Sequence, residues 1–269
     1  MDKKPAVIVI ASSSGGTGKT TFAVNVAAVN ASEGKKTALI DADTAFGDAA
    51  LMLNLDPVIT MKEAAERNDT TDIRSYCLLH ESGIRVLAAP VRPEYAELVK
   101  PGFVTEAVQA LGTHADTIIV DTAAGLTELN LALFEAADRI MIVTAPGLAR
   151  AKNTKLLIET LEALHLKDKL TLVYTEQKKT AFIQAKEAKE ISGGAAVCPV
   201  PDAARALAVS METGVPLVRT QPKGRYAKAV AKAASHREET PVKPRRKWKW
   251  KEERQHEFIR ETAVKESES

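Results

Sequence analysis

Residues 12–21 read SSSGGTGKTT, three glycines followed by one cation and two hydroxyls. Glycine has no Cβ, so the amides of Gly15, Gly16 and Gly18 can curl inward and approach an anion closely. The set Ser14, Gly15, Gly16, Thr17, Gly18, Lys19, Thr20 and Thr21 has the chemistry of a phosphate cradle. In it Lys19 would reach the β- and γ-phosphates of a nucleoside triphosphate, and the Thr20 hydroxyl would go to Mg²⁺. Three carboxylates, Asp41, Asp43 and Asp121, stand at or just past the ends of apolar runs. Taken alone, Asp43 also fits a helix N-cap or turn carboxylate, and Asp121 a solvated strand end.

Such a cradle works only between a strand and a helix, with the helix dipole aimed at the phosphates. The sequence supplies both. AVIVIAS precedes the glycines, and helical spacing follows over Thr20–Glu33. Further strands are predicted at Lys36–Asp41, Ile84–Ala88, Thr117–Asp121, Arg139–Thr144, Leu170–Tyr174 and Ala195–Val200. Helices are predicted at Tyr95–Leu111, Leu126–Ala137, Ala149–His165, Ile183–Ile191, Ala203–Thr213 and Arg225–Ala234. This alternation implies an α/β fold: a mainly parallel twisted sheet flanked by helices on both faces, with ligands beyond the carboxyl ends of its strands. Aromatics make up 4% of the chain, so the core must be aliphatic. Residues 1–235 read as one domain, and 236–269, polar and charged with Pro241 and Pro244, as a flexible tail.

Ser13 breaks the common GxxxxGK[ST] form, and the loop instead fits a deviant form in which two glycines precede a variable residue and Gly-Lys-Thr. There the chain resembles the MinD/ParA family of P-loop ATPases. The segments TALIDADTAFGDAALML, TIIVDTAAGL, RIMIVTAPGLARAKNTKLLIETL and VPDAARALAVSMETGVPLV extend the resemblance, in order, over about residues 6–235. DADTAFGDAALMLNLDP, RVLAAPVRPEYAELV and APGLARAKNTKLL are similar to the CpaE/TadZ branch of Flp/tad pilus assembly. The resemblance implies ATP and Mg²⁺ as ligands and catalytic roles for Lys19 and for Asp43, which would orient the attacking water. It places Asp41 and Asp121 near Mg²⁺, mostly through water. It also implies a nucleotide-dependent homodimer and a switch that localises or assembles a cell-surface apparatus through a membrane-associated protein partner. The alternatives are a DNA-partition or division-positioning ATPase, and a scaffold that keeps a nucleotide without hydrolysing it.

Two positions depart from the family. Its lysine before the paired glycines, which touches the partner's phosphates across a dimer, is Ser14 here. Serine brings no charge to the transition state, so binding should survive while hydrolysis is slow, absent, or rescued by Arg150 or Lys152. The asparagine that reads adenine at the end of the sixth main strand gives way to Thr175 and Glu176. Adenine therefore rests on the resemblance alone.

The net charge of +2 selects no partner, and the first 235 residues are neutral overall. Lys243–Lys251 concentrates six basic residues with Trp248 and Trp250. That composition suits a solvated tail or an anionic membrane surface, and less well a nucleic acid. Arg219, Lys223, Arg225, Lys228 and Lys232 form a second basic set, read as a solvated face or a nucleic-acid patch. Cys77 and Cys198 lack paired spacing, and the five histidines lack metal-ligand spacing, which fits a reducing cytoplasm. No apolar run reaches the roughly 18 residues of a membrane span, so membrane contact would be peripheral, at the inner face.

Overall fold

The computed structural model describes residues 4–176 and 185–235. Its strands are β1 (Ala6–Ala11), β2 (Thr37–Ala42), β3 (Leu78–Leu79), β4 (Arg85–Leu87), β5 (Thr117–Thr122), β6 (Arg139–Thr144), β7 (Leu170–Glu176) and β8 (Ala196–Pro201). They form one sheet in the order β3-β4-β2-β5-β1-β6-β7-β8, parallel except for β3 against β4. Helices α1 (Lys19–Ser32), α2 (Met61–Arg67), α3 (Pro101–Gly112), α4 (Glu128–Ala136), α5 (Leu148–Ala163), α6 (Ala185–Ile191), α7 (Ala204–Thr213), α8 (Leu217–Thr220) and α9 (Arg225–Ser235) surround it.

Strand side chains alternate between faces, and that alternation sorts the core. Val7, Val9, Ile40, Ile118 and Val120 pack with α3, α4 and α5. Ile8, Ile10, Leu39 and Ile119 pack with α1, α8 and α9. The same parity puts Asp41, two residues beyond Leu39, and Asp121, two beyond Ile119, on the α1 side. Asp41 pairs with Asp121 in the β2–β5 register. Adjacent strands lie roughly 4.8 Å apart, so the fold sets two carboxylates side by side under the start of α1.

All seven expected strands are present. The helix expected over Tyr95–Leu111 is a correction: it divides into a 3-10 turn, Pro93–Leu98, and α3. Proline disfavours helical geometry in the residue before it, and Lys100 is extended with Pro101 opening α3. The tail read at 236–269 and residues 183–184 of the expected Ile183–Ile191 helix lie outside the described residues.

His80, only 5% exposed, ties the sheet edge to the α7–α8 turn. Its Nδ1 accepts the Ser82 N–H at 3.2 Å and meets the Ser82 hydroxyl at 2.7 Å. The Gly214 carbonyl accepts from the ring. Burial pushes its pKa down, Arg219 adds to that, and Glu81 opposes it. A histidine the fold keeps neutral costs stability as pH falls below its unfolded value of about 6.5. The thermal midpoint is therefore expected to drop between pH 7 and pH 5, and His80→Gln to flatten that fall. An unchanged slope in the variant would acquit His80.

Candidate nucleotide-binding site

β1 ends at Ala11, and the chain turns through residues 12–18 into α1. Gly16 (φ 69°) and Gly18 (φ 83°) take left-handed conformations that L side chains rarely adopt. Nothing lies within 4 Å of where a Cβ on Gly15, Gly16 or Gly18 would stand, so the loop opens on free space. The Ser12 hydroxyl donates to the Ser14 carbonyl at 3.0 Å and tightens the turn. The Ser14 and Thr17 hydroxyls are buried without a protein partner.

Lys19 is 8% exposed, and its Nζ donates to Asp121 Oδ1 at 2.9 Å. Asp121 is fully buried, and its Oδ2 has no partner. Burial raises the Asp121 pKa, against the pull of the Lys19 ammonium and the Thr20 hydroxyl. Asp41 is pushed up to about 8, first by burial and then by Asp121. Lys19, Thr20, Asp41 and Asp121 thus lie together at the start of α1.

Two loops close on this centre. Asp41 Oδ2 accepts the Ala49 N–H at 2.9 Å, and Oδ1 the Asp43 N–H at 3.3 Å. A Cβ on Gly47 would stand 2.5 Å from both Asp41 oxygens and from the Ala89 side chain, so only glycine fits there. The second loop donates the Gly125 N–H to the Ser12 carbonyl at 2.8 Å. Asn130, fully buried on α4, holds that loop through the Ala123 and Gly125 carbonyls at 3.0 and 2.8 Å. Asp43 is half-buried, and its charge bears on Asp121.

Sequence reasoning missed three features. A hydroxyl chain runs from Ser13 Oγ to Thr154 Oγ1 and on to Thr144 Oγ1, 3.0 Å at each step, fastening the cradle to α5 and β6. Only the hydroxyl types gave a signal. Asn130 lay inside a helix and drew no notice. Third, a cavity of about 260 Å³ opens past β8, lined by Pro201, Ala206, Leu217, Gln221, Arg225 and Tyr226 among others. Burial alone pushes the Tyr226 phenol up. Thr175 is half-buried at the end of β7, while the Glu176 side chain lies outside the described residues.

A glycine cradle on the first turn of α1, a buried lysine and paired strand-end aspartates define an α/β nucleotide-binding protein of the P-loop type. The chain belongs to the family described as the CobQ/CobB/MinD/ParA nucleotide binding domain, which matches residues 8–184. An uncharacterized ATP-binding protein of Methanocaldococcus jannaschii is 32% identical over 143 residues, 53% of each chain, so the match spans about half of that relative. The septum site-determining protein MinD of Thermotoga maritima is 26% identical over 78% of this chain and 80% of its own. In fold the chain is similar to a ParA family ATPase from Chlorobium tepidum, at a TM-score of 0.77 and 19% identity, covering 87% of this chain and 99% of that one. It is also similar to MinD complexed with Mg-ADP from Pyrococcus horikoshii, at 0.75 and 21%, covering 86% and 94%.

Proposed function

We propose that this chain is an ATP-operated switch. With Mg·ATP in the cradle, loops 43–50 and 122–127 take a fixed order, and that order sets affinity for a second copy of the chain or for a protein partner. The observation that carries this reading is the attachment of both loops to the centre, through Ala49 N–H on Asp41 and Gly125 N–H on Ser12. The phosphates lie on the loop amides, on Lys19, and within reach of the buried Ser14 and Thr17 hydroxyls. The base lies in the cavity beside β8, where Pro201, Leu217 and Tyr226 offer apolar surface and Asp202, Gln221 and Arg225 offer polar groups. Mg²⁺ fits the partnerless Asp121 oxygen and the nearby Thr20 hydroxyl: Thr20 would hold it directly, Asp41 and Asp121 through water. When bound it neutralises phosphate charge. Asp43 orients the attacking water.

The setting we propose is localisation or assembly of a cell-surface apparatus at the inner face of the membrane, supported by the CpaE/TadZ-like runs. The Lys243–Lys251 segment would touch anionic lipid. Among the described residues no helix is long and apolar enough to cross a membrane. A division-positioning or partition role has support of its own in the MinD relative and in exposed Lys223, Arg225, Lys228 and Lys232. A non-hydrolysing scaffold is supported by Ser14. Hydrogen exchange with Mg·ATP and with Mg·ADP tests the switch: loops 43–50 and 122–127 should be protected at least about tenfold more with ATP. Equal protection would end it. Salt-sensitive binding to nonspecific DNA would move the assignment to partition.

A further inference from the structure

α8 has only four residues, and its N-cap is Pro216, which has no side-chain acceptor. The first amides of a helix need partners outside it. Here one is supplied from another helix. Asn25, 1% exposed on α1, accepts the Val218 N–H on its Oδ1 at 3.1 Å. Its Nδ2 donates to the Thr21 carbonyl, one turn back toward the cradle, at 2.8 Å. One buried amide therefore joins the first turn of the phosphate helix to the start of α8.

What hangs on α8 gives this joint its meaning. Leu217 and Gln221 line the cavity. Gln221 then opens the tight turn into α9: its carbonyl accepts the Gly224 N–H at 2.9 Å, and a Cβ on Gly224 would stand 3.0 Å from that carbonyl. Past the turn, Arg225, Tyr226 and Ala227 complete the wall. The α8 part of the lining, Leu217 with Gln221 just beyond it, is joined to α1 directly by Asn25, while Arg225–Ala227 belong to α9, which packs on α1 through its own apolar face.

We propose that Asn25 is a positioning residue that sets the distance and register between the phosphate cradle and the nucleobase cavity, so that one rigid nucleotide spans both. This rests on the base occupying the cavity beside β8. Asn25 in this role does more than hold the fold together: its removal is felt only at the nucleoside end of the ligand.

Calorimetric titration with Mg·ATP and with Mg·tripolyphosphate, which lacks sugar and base, separates the two. In the wild type, Mg·ATP should bind at least about tenfold more tightly than tripolyphosphate; equal affinities would overturn the placement of the base in the cavity, and the role of Asn25 with it. Granted the wild-type preference, Asn25→Ala should weaken Mg·ATP about tenfold and leave tripolyphosphate within about twofold. Asn25→Asp keeps the acceptor for Val218 but loses the donor to the Thr21 carbonyl, and should retain more of the preference than the alanine variant and less than the wild type. Asn25→Leu fills the space without an acceptor and should lose it, which keeps the test open if the alanine variant fails to fold. Parallel weakening of both ligands, or an undiminished preference in the alanine and leucine variants, would overturn the role.

Discussion

Lys19→Ala is expected to raise the dissociation constant for Mg·ATP at least about 100-fold. Hydrogen bonds to charged groups are worth about 1.5–3 kcal/mol each, and one ammonium reaching two phosphates loses two of them. The variant also disturbs the free protein. Lys19 is the cation paired with Asp121, and both are buried. Breaking such a pair costs about 3–5 kcal/mol, because a buried charge is left uncompensated. Protonation relieves part of this. Burial and the neighbouring Asp121 push Asp41 up to about 8, so the stability linked to its proton is present at low pH and is lost as pH rises through about 8. Lys19→Ala removes the cation that holds both carboxyls down, so its thermal deficit should widen in alkaline buffer, where they are charged. Adding Asp121→Asn removes the stranded charge and should restore most of the midpoint without restoring ATP binding. Recovery of binding in that double variant would mean that Lys19 serves the fold and not the phosphates.

The order of strands and helices was legible because the chemistry that makes each element is local. Runs such as AVIVIA and RIMIVT are β-branched and apolar, as strands covered on both faces must be, and they form β1 and β6. The glycine turn from β1 into α1 was legible for the same reason, since its residues are contiguous in the chain. What was missed depended on partners far away in sequence. β3 has two residues and exists only because β4 pairs with it. Asn25 and Thr154 look like ordinary helix interior until Val218 and Ser13, 193 and 141 positions away, come into contact. The cavity is assembled from four separate elements, β8, α7, α8 and α9, with the turns beside them. One omission was avoidable. Thr60 and Glu63 form a reciprocal capping box at the start of α2, and a threonine followed three residues later by glutamate is a readable signal.

Ser14→Lys is expected to raise ATP turnover by about 10³-fold, the scale on which a cation at the transferring phosphate acts. The structure gives Ser14 no substitute role in charge: its hydroxyl is buried and partnerless within its own loop. Of the two cations considered for rescue, only Arg150 is well placed. It lies four residues before Thr154, on the same face of α5, and Thr154 touches Ser13 of the cradle. Its guanidinium is steadied by the Pro146 carbonyl at 3.2 Å, leaving donors to spare. Lys152 is exposed, and two residues from Thr154 it points some 200° around the helix. Arg150→Ala should therefore depress whatever turnover the wild type has, by about tenfold or more, while Lys152→Ala changes it less than twofold. In the Ser14→Lys background the Arg150 effect should shrink, since two cations serving one phosphate are not additive. If the wild type already turns over as fast as Ser14→Lys, the missing lysine limits nothing, and the case for Arg150 falls with it.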